Sequence, residues 1–343
     1  MEFSRESITQ LKELLSTPKR IVTLAHTNPD GDAIGSSLAW REVLCKMGHT
    51  VTCIVPNKYP YFLDWMAGIE NIVVFKHDEQ GIAAKAVAEA DIIFCLDFNA
   101  LSRLEGLGEV VEQNTSAKRV LIDHHLSPVR DYDIIFSYPD ISSTAFLVYQ
   151  IIEAAYGTDT ISKDMAESMY VGMMTDTGNF SFSELTPELY RAVAVLAEKG
   201  IDIPQIHNNV YNAFTEGRAR LFGYAIHRKM EIINNGTVAC MSLKEHEMRR
   251  YGFQQGDSEG FVNYALTIKK MKMSAMFLAH RKFIRVSLRS RGDVDVNLFA
   301  RRYFNGGGHR NAAGGKSFVS MEETLEHFRR SVAEFAAEGG IPE

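Results

Sequence analysis

The chain has 343 residues, of which 45% are hydrophobic and 23% charged; this globular balance excludes a disordered chain, a collagen and a coiled coil as overall descriptions. The formal net charge of −6 conceals an asymmetry: residues 1–215 carry 16 Lys and Arg against 29 Asp and Glu, and residues 216–343 carry 21 against 14. An acidic half suits metal ions and a basic half suits phosphates, although charge also varies between domains without functional cause.

The length predicts two domains. The opening stretch, MEFSRESITQLKELLS, reads as a charged amphipathic helix packed on a sheet, without the basic-then-apolar layout of a signal peptide. No uncharged apolar run is long enough to cross a bilayer, so a cytoplasmic protein without membrane contact is expected. Cys45, Cys53, Cys95 and Cys240 lack paired spacing and read as reduced, mostly buried thiols. Strand runs are expected at 20–25, 50–56, 91–98 and 119–125, with a helix from Ala33 to about Met47 and another over 142–157, stopped by Gly157. Strands separated by helices predict an α/β fold: a mostly parallel N-terminal sheet with helices on both faces. Helical patterns follow at 162–175 and 186–215, the second broken by Gly200 and Pro204 and read as a connector. Beyond residue 216 a hairpin around Asn-Gly (229–243), strands at 273–280 and 283–289, a helix at 295–304, a glycine-rich loop at 306–315, a short strand and a last helix at 321–338 predict a smaller C-terminal α/β domain. The expected division is 1–188, a helical linker 189–215, and 216–343.

Ligands of open parallel sheets bind beyond the carboxyl ends of the strands. Several metal-type side chains fall there. His26, Asp30 and Asp32 lie in AHTNPDGDAIGSS, where Pro29 and Gly31 argue for a tight loop; the same letters also spell an ordinary turn. Asp97 closes IIFCLDF, with Asn99 and Arg103 just after it, and a capping carboxylate followed by a solvated Arg would look the same. Asp123, His124 and His125 close a further strand, and the two imidazoles can share a site only once the strand has ended. Asp176 follows a helical run in GMMTDTGNFSF and alone would be a turn residue. Oxygen and nitrogen ligands without thiolate favour Mn²⁺ or Mg²⁺ over structural Zn²⁺. Asp30, Asp32, Asp97 and Asp176 would balance two divalent cations, which a bridging carboxylate holds roughly 3.5–4 Å apart for in-line attack on phosphorus. In the basic half, Arg289 and Ser290 end a strand, and Gly306, Gly307, Gly308 and His309 form a segment whose backbone could approach an anion; a surface Arg and a flexible hinge are the plainer alternatives.

HTNPDGD, LDFN, DHH and TDTG, followed by SLRS and GGGHRNAAGG, resemble in order the motifs of the DHH-family phosphoesterases with a DHH-associated C-terminal domain. The likeness spans nearly the whole chain, and the length is similar to that of the NrnA-type branch. Those enzymes degrade very short oligoribonucleotides to mononucleotides and remove the 3′-phosphate of pAp, and such chains are also called exopolyphosphatase-related. The resemblance implies that His26 and Asp30 bind one metal and that Asp32, His124 and Asp176 bind the second, with Asp97 bridging. It places His125 beside the scissile phosphate and makes Asp123 the residue that orients the imidazoles. It makes Arg289, Ser290 and His309 substrate-binding residues, to which Asn99, Arg103 and Gly306–Gly308 are added as candidates. The implied cofactor is two Mn²⁺ ions, with Mg²⁺ or Co²⁺ as substitutes; the implied partners are short single-stranded RNA or nucleotide phosphates, and a homodimer is compatible. The expected mechanism is in-line attack on phosphorus by water activated between the metals, with closure about the linker excluding bulk solvent. A pyrophosphatase or exopolyphosphatase, a phosphodiesterase for linear dinucleotides and a nucleotide-binding protein without turnover remain alternatives. Phe180, Phe182, Tyr303 and Phe304 would favour nucleotides if they stack on bases, though aromatic residues are more often core.

Overall fold

The computed structural model describes residues 4–126, 128–129, 131–181 and 185–342; Phe182 lies outside them. The chain divides into two compact units, Met1–Ala213 and Phe214–Glu343.

The first unit is built on β1 (Arg20–Leu24), β2 (Thr50–Val55), β3 (Ile72–Val74), β4 (Ile92–Leu96), β5 (Lys118–Asp123) and β6 (Ile134–Ser137). They form one sheet in the order β3-β2-β1-β4-β5-β6, and each neighbouring pair is parallel. The helices are α1 (Arg5–Leu14), α2 (Gly31–Lys46), α3 (Ile82–Glu89), α4 (Gly106–Gln113), α5 (Thr144–Tyr156), α6 (Lys163–Asp176), α7 (Pro187–Glu198) and α8 (Ile203–Tyr211). The central strands are buried on both faces, β4 along its whole length and β1 from Ile21 to Leu24, as parallel sheets require. Ile93, Cys95 and Leu121 point into a cluster with Val87 of α3 and Leu107 and Val111 of α4. Phe94 points the other way, edge-on to the fully buried Trp40 of α2. On that side α6 packs on α2 and α5, and α1 lies against β6 and α5. The crossing of α2 over α6 is very close: a Cβ on Gly35 would collide with the backbone carbonyl oxygen of Ser168.

The helix expected from Ala33 begins at Gly31, two residues earlier, so Asp32 stands on a helix and not in a loop. Gly31 occupies the first turn, where no intrahelical partner for its N–H is needed, and Asp30 caps that turn. Gly200 adopts φ +81° between α7 and α8, and Pro204 lies in the first turn of α8, where proline is tolerated. Both helices belong to the first compact unit.

The second unit contains β7 (Glu231–Ile233), β8 (Val238–Leu243), β9 (Met273–His280), β10 (Phe283–Ser290), β11 (Gly307–Gly308) and β12 (Ala312–Ser317). Their order is β11-β12-β10-β9-β8-β7, antiparallel throughout except between β8 and β9. Its helices are α9 (Glu216–Tyr224), α10 (Glu245–Arg250), α11 (Phe261–Tyr264), α12 (Val296–Tyr303) and α13 (Met321–Ala337). Alternation along β10 sends Ile284, Val286 and Leu288 into a core with Phe277, Phe299, Phe304 and Phe328. A second cluster joins Met241, Met276 and Leu278 of the sheet to Leu221 and Phe261. The strand expected at 273–280 is thus core strand, with Met273 and Met276 buried.

The glycine-rich segment 306–315 is not an open loop. Residues 309–311 turn, Gly307–Gly308 form β11, and residues 312–315 form most of β12. Its glycines admit close backbone packing: a Cβ on Gly306 would collide with the carbonyl oxygen of Gly314, and one on Gly315 with that of Phe304. Tyr303 and Phe304, considered above as base-stacking rings, pack with Phe299 in this core.

Candidate active site

The strand order reverses direction between β1 and β4, which opens a crevice at their carboxyl ends. The side chains singled out in the first unit converge there. His26 follows β1, and its ring Nδ1–H donates to the Thr27 carbonyl at 2.9 Å. That bond fixes the tautomer and leaves Nε2 as a lone pair, 3.3 Å from Asp97 Oδ2. The loop is held in place by Thr27 N–H donating to the Arg103 carbonyl at 2.9 Å. A reciprocal amide pair between Asn28 and Asn57 adds to this, with Asn28 in the left-handed region at φ +57°. Asp30 Oδ1 accepts the N–H groups of Asp32 and Ala33, at 3.0 and 3.1 Å. It is therefore both the turn residue that the sequence suggests and a neighbour of His26 and Asp97.

Asp97 follows β4 directly and has φ +64°, a strained backbone for a residue with a side chain. Its N–H donates to the Ile122 carbonyl at 3.1 Å, which pins the turn against β5. Its two oxygens face different partners: Oδ2 faces His26, and Oδ1 lies 3.6 Å from His124 Nε2. His124 repeats the arrangement of His26. Its Nδ1–H donates to the Ile141 carbonyl at 3.0 Å, and Nε2 faces Asp176 Oδ2 at 3.4 Å and Asp32 Oδ2 at 3.9 Å. Asp176 is the last residue of α6. His125 Nδ1–H donates to Asp123 Oδ1 at 2.7 Å. Three sets of ligand atoms, His26/Asp30/Asp97, Asp32/Asp97/His124 and Asp97/Asp123/His125, each fall within a sphere a cation would span, and Asp97 belongs to all three.

The electrostatics follow from burial. Asp32 is 1% and Asp97 2% exposed. Burial, with the Asp176 carboxylate behind it, pushes the Asp32 carboxyl up to about 8. Burial and then the neighbouring carboxylates, Asp32 first, drive Asp97 well above the usual carboxylate range. Burial lowers His26 to about 4, which keeps it neutral and able to donate a lone pair. Burial also presses on Asp123, but the hydrogen bond and charge of His125 outweigh it and hold that carboxyl below its ordinary value. A cluster whose carboxylates cannot all ionise unaided is short of positive charge, and the chemistry of these donors fits divalent cations.

The remaining candidates are placed as follows. Asn99 Nδ2 donates to the Leu126 carbonyl at 2.7 Å and ties the segment after β4 to the segment after β5. Arg103 is half-buried and close enough to His26 for its charge to depress that imidazole further. In the second unit, Arg289 shares one face of β10 with Arg285 and Ser287, and Lys316 of β12 stands opposite Arg285. Ser290 is buried, and its hydroxyl donates to the Val294 carbonyl at 2.6 Å and accepts from Asn311. His309 sits in the turn between β11 and β12, where its N–H donates to the Ala312 carbonyl at 2.8 Å. Gly306–Gly308 lead into that turn. Arg285 escaped the sequence reading, although its period-two spacing from Arg289 in IRVSLRS marks it as lying on the same face.

The model described as "DHH family, N-terminal domain" matches residues 20–173, and that described as "DHHA1 domain" matches residues 235–338. An exopolyphosphatase-related protein from Bacteroides fragilis is 39% identical, with 97% of each chain covered and a TM-score of 0.90. The chain belongs to the DHH family. Membership makes it a hydrolase of phosphate ester bonds, and it agrees with the recessed carboxylate and imidazole cluster. This DHH protein is also 26% identical over 340 residues to the bifunctional oligoribonuclease and PAP phosphatase NrnA of Thermus thermophilus, covering 98% of this chain and 96% of that one. The Bacillus subtilis protein of the same name is 25% identical over 317 residues, 92% and 94% of the two chains. Among the described residues, no helix is long and apolar enough to cross a membrane.

Thr144 is a further functional candidate that sequence reasoning missed. Its hydroxyl donates to Asp97 Oδ1 at 2.9 Å and its N–H to Asp32 Oδ2 at 2.7 Å. The available signal was a surplus: Ser142, Ser143 and Thr144 stand together at the start of an apolar helix that needs only one cap.

Proposed function

We propose that this DHH protein is a two-metal phosphoesterase that hydrolyses short oligoribonucleotides and the 3′-phosphate of pAp. One observation carries the reading: His26 and His124 both surrender Nδ1–H to a backbone carbonyl and present Nε2 to opposite oxygens of the same carboxylate, Asp97. On this reading His26, Asp30 and Asp97 hold one cation, and Asp32, Asp97, His124 and Asp176 hold the second, with Mn²⁺ as the preferred ion. When bound, the cations lower the pKa of water and offset the charge that develops on the phosphoryl oxygens.

The chain's own residues do the rest. Asp97 keeps both oxygens in use because its left-handed backbone is pinned to β5. Asp123 accepts the Nδ1–H of His125 and so fixes the ring in the cluster, where His125 can pass a proton to the departing ribose oxygen. Arg289 offers guanidinium donors to the substrate's phosphates, and His309 adds a ring donor in the glycine-rich turn. The buried thiols of Cys53, Cys95 and Cys240 fit a reducing cytoplasm.

The description of the Bacteroides fragilis relative supports a second reading, an exopolyphosphatase that reads phosphates alone. The experiment is hydrolysis of a 5′-phosphorylated diribonucleotide, pAp and tripolyphosphate side by side, with Mn²⁺ and with chelator. Turnover of the dinucleotide or pAp, lost on chelation, is the expected result. Turnover of tripolyphosphate alone would replace the proposal by the second reading, and no turnover of any would leave a nucleotide-binding protein.

A further inference from the structure

Ser143 caps α5, its hydroxyl accepting the Phe146 N–H at 3.1 Å, so the neighbouring hydroxyl of Thr144 is not needed to start the helix. Thr144 is nevertheless fully buried and makes two bonds to two different carboxylates. A third bond from the same helix end, Ala145 N–H to Asp32 Oδ1 at 2.8 Å, occupies the other oxygen of Asp32. The first N–H groups of a helix lack intrahelical partners and carry a partial positive charge, so this end suits a buried carboxylate.

The approach is built into the packing. On α6, a Cβ at Gly172 would collide with the Ala145 side chain and would stand 2.8 Å from Asp32 Oδ1. Only a residue without a side chain lets α5 come this near to Asp32. Asp97 has the complementary problem. Its backbone is held, but its carboxyl group can still rotate about χ2, a broad torsion. A donor on Oδ1 stops that rotation and keeps Oδ2 on the His26 side.

We infer that Thr144 is a positioning residue: it sets the rotation of the Asp97 carboxylate and, with Ala145, fixes Asp32, so that cation affinity depends on a side chain outside the ligand set. The inference rests on the metal reading proposed above. Valine has the shape of threonine without the donor, so Thr144→Val removes the hydrogen bond at nearly constant volume, and Thr144→Ser keeps the donor without the methyl group.

The test is a Mn²⁺ titration of the full chain, following free Mn²⁺ by its electron paramagnetic resonance signal, alongside circular dichroism and a urea midpoint. Thr144→Val is expected to weaken Mn²⁺ binding about 10- to 100-fold. Its kcat on the dinucleotide should fall while KM holds, and Thr144→Ser should restore most of the affinity. If Thr144→Val fails to fold, Thr144→Ala against Thr144→Ser makes the same comparison, since both shorten the side chain and only serine keeps the donor. Wild-type Mn²⁺ affinity in the Val or Ala variant would overturn the inference alone, as would a Ser variant as weak as these. A wild-type chain that binds no Mn²⁺ would overturn the metal reading and this inference with it.

Discussion

The two units gather their charged groups by different geometric means. In the first, every strand runs the same way, so all carboxyl ends reach one edge, and residues as far apart as Asp32 and Thr144 meet there. In the second, most neighbours are antiparallel, strand ends alternate, and charge collects along a strand face by cross-strand register, as Arg285 opposite Lys316 shows. The first arrangement yields a recessed, acidic cluster of fixed side chains. The second sets basic side chains along one face of a strand whose other face lies in the core, and Arg285 among them is itself half-buried against Ser258. Rigid ligation needs the former, and recognition of an anion can use the latter.

Variants in the two units should therefore fail differently. Asp97→Asn should have the largest effect, lowering metal-dependent kcat about a thousandfold or more. Asparagine tolerates the left-handed backbone, so the circular dichroism spectrum should stay unchanged; wild-type turnover would break the assignment of chemistry to the strand ends. Arg289→Ala should come next and raise KM for phosphorylated substrates about 10- to 100-fold with kcat nearly kept. A loss confined to kcat would place Arg289 in the chemical step and blur the contrast.

The third expectation concerns pH in metal-free protein. Asp32 holds its proton up to about 8 in the folded state, above its ordinary 3.8, so the stability it contributes at low pH is lost as pH rises toward 8. His26, lowered from 6.5 to about 4, acts in the opposite sense and only between those values. The melting temperature of the metal-free chain should therefore fall from pH 6.5 to 8.5, and Mn²⁺ should reverse the fall. A profile that is flat with and without Mn²⁺ would remove the case for a charge-starved cluster. The smallest effect is expected on the second unit's surface. Arg329→Ala breaks a half-exposed fork onto Glu231, with both bonds at 2.8 Å, and should cost less than about 1 kcal/mol by urea denaturation, without touching activity.

Four strands of the parallel sheet were legible because they are apolar runs separated by helical periods, whereas the edge strands β3 and β6, three and four residues long, were too short to read, and the ligand types were legible because several close those runs. Two local readings went astray for a shared reason. Pro29-Asp30-Gly31 and the glycines of 306–315 spell loop by composition, yet one begins a helix and the other builds two strands. In both places glycine serves close packing against another element: Thr175 of α6 faces Gly31, and Gly314 of β12 faces Gly306. Composition does not show what stands on the other side.

By itself the sequence determined the strand–helix alternation, the acidic and basic halves, and which carboxylates and imidazoles end up beyond strand ends. These follow from local periodicity and from residue type, both of which act over a few positions. Only the tertiary structure decided that Asp97 divides its oxygens between two histidines, that both histidines carry their proton on Nδ1, and that Thr144 reaches Asp32 and Asp97. The His26 tautomer is set by the carbonyl of the next residue, Thr27, but the His124 tautomer and the Thr144 bonds depend on groups brought from far along the chain, whose placement is set by how α2, α5 and α6 pack, which no local pattern encodes.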